Sequence, residues 1–176
     1  MLSGGSLDVA TNLVVDNTFT LAGGTLKHAT VTTTVNGAVS YTSIGGTFDA
    51  VTVASDLVID AGTYLIIVNG LTLSDSTITI NDGNLRFQGN NSLTGTGQLH
   101  LVSDAGYRNH NVYHAVVYGD SVAIDSQIVV QGSGEWRPEQ TTNQGTIIAN
   151  TAGAWLEVGS LTNEGILKAS AGGSLD

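Results

Sequence analysis

The segment Thr142-Asn143-Gln144-Gly145-Thr146-Ile147-Ile148-Ala149 returns twenty residues later as Thr162-Asn163-Glu164-Gly165-Ile166-Leu167-Lys168-Ala169. The register runs on, with Gly153 matching Gly173 and Trp155 matching Leu175. A looser theme of glycine, a small or polar residue and an apolar one covers the rest of the chain. It reads Gly5-Ser6-Leu7, Gly24-Thr25-Leu26, Gly46-Thr47-Phe48, Gly83-Asn84-Leu85, Gly97-Gln98-Leu99 and Gly134-Glu135-Trp136, with Gly62 and Gly119 filling gaps less well. From Gly5 to Gly173 this makes nine intervals averaging about 19 residues. A unit that short has no core of its own and becomes stable only by stacking on its neighbours.

Between the glycines, apolar residues alternate with polar or small ones, as in Leu57/Ile59, Leu71/Leu73, Ile78/Ile80 and Leu99/Leu101. Period two places one side chain inward and the next outward, the mark of a half-buried strand. Each run is short and ends at residues that tolerate a positive φ, such as Asn69-Gly70, Asp82-Gly83 and Asn90-Asn91. The chain holds 23 glycines, one proline and no cysteine, so neither a helical bundle nor a disulfide framework fits. The glycines follow no collagen register. An antiparallel sandwich also uses many short strands, but it has no need of a repeated Gly-x-apolar phase. The pattern predicts an all-β chain folded as a right-handed parallel β-helix, or β-solenoid, with about nine coils of roughly 19 residues.

An insertion into such a coil must leave at a corner as a loop, because the strands are pinned in their stacks. Residues 103–120 are the least repetitive stretch and are expected to form an irregular insertion. The rest of residues 1–176 reads as one solenoid segment. Neither terminus shows an amphipathic helix that would cover an open rung, so the segment is expected to be a window of a longer array or to stack end to end on its own copies.

Five basic residues stand against fifteen acidic ones, a net charge of −10. Such a surface repels phosphate backbones and anionic lipid, which speaks against nucleic-acid partners. The longest apolar run, residues 64–68, is far too short to cross a membrane. The absence of cysteine also excludes thiolate metal sites and is compatible with export.

The phrases Asn143-Gln144-Gly145-Thr146-Ile147 and Asn163-Glu164-Gly165-Ile166-Leu167-Lys168-Ala169 resemble repeats of very large bacterial surface proteins. So do Leu57-Val58-Ile59-Asp60-Ala61-Gly62-Thr63 and Leu93-Thr94-Gly95-Thr96-Gly97. These proteins are similar to filamentous haemagglutinins and autotransporter passengers. The resemblance covers most of the chain apart from residues 103–120. It implies a right-handed β-helix serving as a stalk or adhesive fibre at the bacterial cell surface or in the extracellular matrix. Its partners would be copies of itself, or host and matrix glycans and proteins. The resemblance carries no shared catalytic motif, so no functional residue follows from it.

Glycoside hydrolysis needs two carboxylates across one bond. Asp56/Asp60 and Asp120/Asp125 are the nearest pairs, and solvated turn aspartates account for both. Arg86, Arg108 and Arg137 form no basic cluster in the sequence, so an enzyme is not expected. His110 and His114 would share a strand face, but strand spacing places their Cα atoms about 13 Å apart, too far for one metal ion. The calcium nonapeptide pattern is missing its third glycine at Gly4-Gly5-Ser6-Leu7-Asp8 and at Gly45-Gly46-Thr47-Phe48-Asp49. No cofactor is therefore expected beyond an incidental Ca²⁺ at a corner. A threonine ladder of the ice-binding kind would need Thr-x-Thr on every rung, and most rungs carry none. The local candidate is a glycan site on Trp136, Tyr107, Tyr113 and Arg137, because aromatic faces stack on sugar rings. The competing reading makes Trp136 a core residue, with Trp155 in the same register.

Overall fold

The structure, a computed structural model, describes residues 1–103 and 114–176. It is all-β, and the strands wind in successive coils. The first coil holds β1 (Ser6–Asp8), β2 (Asn12–Val15) and β3 (Thr18–Leu21). The second holds β4 (Thr25–Lys27), β5 (Thr30–Thr33) and β6 (Ala38–Tyr41). In the third, β7 (Gly46–Val53) turns a corner before β8 (Leu57–Asp60). Single strands with bulges, β9 (Tyr64–Asn81) and β10 (Asn84–Val102), make up the fourth and fifth coils. The sixth comprises β11 (Val116–Ile124) and β12 (Ile128–Gly132), and the seventh β13 (Gly134–Asn143) and β14 (Thr146–Ala149). The eighth holds β15 (Trp155–Val158), β16 (Leu161–Asn163) and β17 (Ile166–Ala169), and β18 (Ser174–Leu175) opens a ninth.

The ladders between these strands are parallel and join each coil to the next. The first face runs unbroken through β1-β4-β7-β9-β10-β11-β13-β15-β18. Nine strands on that path make eight turns, one fewer than the sequence count. The difference lies at Gly97-Gln98-Leu99. That segment belongs to β10, where Leu99 pairs with Ile78 and Val130 on the third face of a coil already begun at Asn84. It continues a rung and does not start one.

Inward residues stack from coil to coil. Leu26, Phe48, Ile67 and Phe87 stand in register and are wholly buried. Leu65, Leu85, Val117 and Trp136 form the parallel stack two residues away. Burying each such side chain contributes about 1.5–3 kcal/mol, which is what holds one coil to the next. Opposite Phe87 on the next coil stands Gly119, which has no side chain, and Trp136 from one coil further on reaches the Phe87 ring. The two ring centroids lie 6.3 Å apart at 58°. A Cβ on Gly119 would lie 1.9 Å from the Phe87 carbonyl oxygen, and its φ is +118°. That position therefore demands glycine twice over.

The corners are less glycine-bound than the sequence suggests. His28, Ala50 and Asn69 occupy one corner on successive coils, each with φ between 52° and 57°. Polar ladders bridge neighbouring coils at other positions, on the outer side and, at the buried Asn143, on the inner side. Gln131 donates to Gln98 and accepts from Asn150, Thr72 meets Thr94, and Asn143 donates to Asn163.

The insertion falls between β10 and β11. Asn84 pairs with Val116, thirty-two positions on, whereas the neighbouring coils advance by about 19 to 22 residues. Of the irregular stretch expected over 103–120, the last five residues are strand, since β11 begins at Val116. The Ala115 amide donates to Ser103 Oγ at 2.8 Å, and Ser133 Oγ donates to the Ser103 carbonyl. These bonds close the neck of the long coil.

Candidate functional site

Trp136 is placed in the core. It is 0% exposed, its ring lies against Phe87, and its indole Nε1–H donates to Thr141 Oγ1 at 2.9 Å. No ring face is open to a sugar, which corrects the expectation of a stacking platform there. Tyr107 and Tyr113, with Arg108 and His110, lie outside the described residues. Arg137 is exposed and fully engaged by carboxylates. Its Nη1 sits 3.0 Å from Glu135 Oε2, and its Nε donates to Glu157 Oε1 at 2.9 Å.

Glu135 is buried, with its other oxygen 3.0 Å from His114 Nε2. The string His114–Glu135–Arg137–Glu157 thus ties the sixth, seventh and eighth coils together beside the neck of the insertion. Burying Glu135 is tolerable because cationic or hydrogen-bonding partners meet both of its oxygens.

Three of the four carboxylates in the candidate pairs bridge neighbouring coils, and the fourth holds its own turn. Asp56 Oδ1 accepts the Thr77 amide and Asp60 Oδ1 accepts Asn81 Nδ2, each from the next coil. Asp120 Oδ2 accepts the Gly89 amide, and Asp125 Oδ1 accepts that of Ser126. Among the described residues, no three metal-ligating side chains gather.

Trp155 is not the core residue its sequence register suggested. Leu156, not Trp155, pairs with Leu175, and Trp155 stands opposite Ser174. The turn before β18 is one residue shorter than its counterpart before β15, and a one-residue slip exchanges the two sides of a strand. Leu156 is therefore buried and Trp155 half-exposed on the outer side of the first face. On that same side Tyr118 lies in register between Arg86 and Arg137. Tyr118 and Arg86 are both exposed.

A second feature had no signal in the sequence. On the third face, among the described residues, β6 pairs only with β3 and β8 only with β9, so the ladder is interrupted between two consecutive coils. The cause sits at the preceding corner. The Thr33 amide donates to Ser55 Oγ at 2.9 Å, so a side chain stands where a backbone carbonyl would close the rung. A cleft of about 340 Å³ opens there, lined by Gly37, Val39 and Tyr41 on one side and Asp56, Leu57 and Asp60 on the other. The Tyr41 hydroxyl is buried without a hydrogen-bond partner, and burial pushes its pKa well above the usual tyrosine range.

Compared with family models, with curated proteins and with solved structures, the chain matches none of them. What stands is the class that the fold itself defines: a repeat protein of the parallel β-solenoid type.

Proposed function

We propose that the chain is a structural, adhesive rod segment of a bacterial extracellular surface or matrix fibre, associating end to end with further coils. The observation that supports this reading is the unbroken first face, nine strands long and in parallel register throughout. At roughly 4.8 Å per rung, eight turns make a rod about 40 Å long. Its stiffness comes from a continuous apolar interior and from polar ladders that repeat outside it. At either end the outermost strands are paired on one side only, so each end has the geometry to receive another coil. Electron microscopy of the purified chain over a concentration series tests this. Rods that lengthen with concentration support it, and short dispersed particles at every concentration count against it.

A second reading, a glycan-binding module, draws on the outer side of the first face. There the exposed Tyr118 stands in register between Arg86 and Arg137, with Trp155 on the same side. Aromatic rings flanked by fixed hydrogen-bonding groups suit sugars. Binding on a glycan array that is lost in Tyr118→Ala, with the fold intact, would favour this reading over a purely structural one.

A further inference from the structure

Among the described residues, neighbouring coils from the first to the eighth are laddered together on all three faces, with one exception. Between the second and third coils the ladder runs through Thr25–Lys27 on the first face and through Thr30 and Val31 on the second. The third face has none there, and β3 with β6 forms a sheet of its own. Past Val31 the Thr33 amide takes Ser55 Oγ in place of a backbone carbonyl. β6 and β8 still lie side by side, with Val39, Tyr41, Leu57 and Ile59 in the apolar core. They are joined by side-chain packing, which lacks the direction and register of a ladder. The cleft of about 340 Å³ opens along this line. Tyr41 adds a second weakness, because its buried hydroxyl has no partner and gains one only when water reaches it.

We infer that residues 1–41 form one cooperative unit, which parts from the rest of the rod at this seam before any other pair of coils separates. The stability of a stacked repeat protein is a sum of terms within repeats and between neighbours, so the weakest junction divides it. On the near side of the seam the first two coils hold together. They share ladders on all three faces, a bridge from Leu2 to Leu21, and the Thr20–Ser40 hydroxyl pair. Neither coil has a core of its own, so both lose their fold when they part from the third. The event bares the inward side of the third coil, Phe48, Val51 and Leu57 among its residues, and leaves the ladders beyond it whole. The rod thus has a built-in place to give way, where one end is shed without melting the remainder. This inference does not depend on the fibre reading.

The test is native-state hydrogen exchange of the full chain, read amide by amide by NMR at low denaturant. The bonded amides of the first two coils, such as Thr30, Thr34 and Ala38, are expected to exchange through one shared opening. That opening should be roughly tenfold or more easier than the one that frees the β9 amides. Thr47, Thr52 and Ala54, whose amides donate to carbonyls of the second coil, should share it. Ser55→Ala removes the acceptor of the Thr33 amide and should ease the opening about five- to tenfold, with β12 and β14 unchanged. Thr25 and Thr47 stand in register across the seam, each beside a buried residue and so on the outer side. Their separation, roughly the 4.8 Å of one rung, suits a disulfide, and the chain has no other cysteine. Oxidised Thr25→Cys/Thr47→Cys should slow exchange of the unit roughly tenfold, and reduction should restore it. Four results each overturn the inference. They are protection that climbs coil by coil from the first, a seam no weaker than the other junctions, exchange of residues 30–41 unmoved by the disulfide, and a Ser55→Ala effect spread evenly along the rod.

Discussion

Trp136 donates its indole N–H to Thr141 Oγ1 at 2.9 Å, and both residues are 0% exposed. The two stand on different faces of the seventh coil, at either end of the corner within β13. The bond therefore fixes that corner from inside. Thr141→Val keeps the shape but leaves the indole N–H buried and unmade, and is expected to cost about 1–3 kcal/mol. Trp136→Ala also removes the contact with Phe87 and is expected to cost about 3–5 kcal/mol. Urea denaturation of both variants measures this. Equal, small effects would mean that Trp136 is not a core residue.

Glycines at the corners differ in what they tolerate. Gly62 has φ +74° and nothing within 4 Å of an added Cβ, so Gly62→Ala carries only the left-handed backbone penalty of about 1–2 kcal/mol. Gly119→Ala meets that penalty and the Phe87 carbonyl as well. It is expected to destabilise by clearly more, with the damage centred on the β10–β11 ladder. Thermal unfolding ranks the pair, and hydrogen exchange locates the loss.

Asp49 stands between Asn69 on the coil above and Lys27 on the coil below, at 2.7 Å and 3.3 Å. The Asn69 hydrogen bond, with help from Lys27, holds its pKa below the ordinary aspartate value. A carboxyl lowered on folding adds stability at neutral pH and loses that contribution as pH falls through the lowered value. Wild type should exceed Asp49→Asn in stability by a constant margin above about pH 5, and the margin should close below about pH 4. Denaturation midpoints measured from pH 7 to pH 2 check this, and a margin independent of pH would contradict it.

Tyr41→Phe removes a buried hydroxyl that has no partner. Deleting an unmet polar group is neutral or stabilising in the free protein, so the melting temperature is expected to hold or rise. A clear loss of stability would assign the hydroxyl a structural bond.

The solenoid was legible because its signals are periodic in the chain: alternation as in Leu57/Ile59 within a coil, and the return of Thr142–Ala149 as Thr162–Ala169 twenty residues on. What depends on the lengths of the corners and turns between strands was not. Gly97-Gln98-Leu99 has the local look of a new rung, yet β10 carries it round a corner of the fifth coil. Trp155 matches Leu175 at the twenty-residue spacing, but one residue fewer in the following turn sets Leu156, the inward residue of β15, opposite Leu175. For Trp136 the sequence favours a core place over a stacking platform without deciding it. Only its place over Phe87, across a side-chain-free Gly119, decides between them. The cleft at Tyr41 arises from Ser55 standing in for a backbone acceptor, which no spacing rule encodes.

The claim that copies of this rod join coil on coil is tested most directly by disulfide capture. The chain has no cysteine of its own. Ser6 and Ser174 flank Leu7 and Leu175 in matching Gly-Ser-Leu-Asp segments on the outermost first-face strands. If β18 of one copy receives β1 of the next in register, Ser6→Cys and Ser174→Cys from two copies come within the roughly 4.4–6.8 Å Cα separation a disulfide accepts. Mild oxidation of the double variant should then yield a regular series of linked multimers, while either single variant gives none beyond a minor dimer. A double variant that stays monomeric at high concentration would contradict end-to-end association.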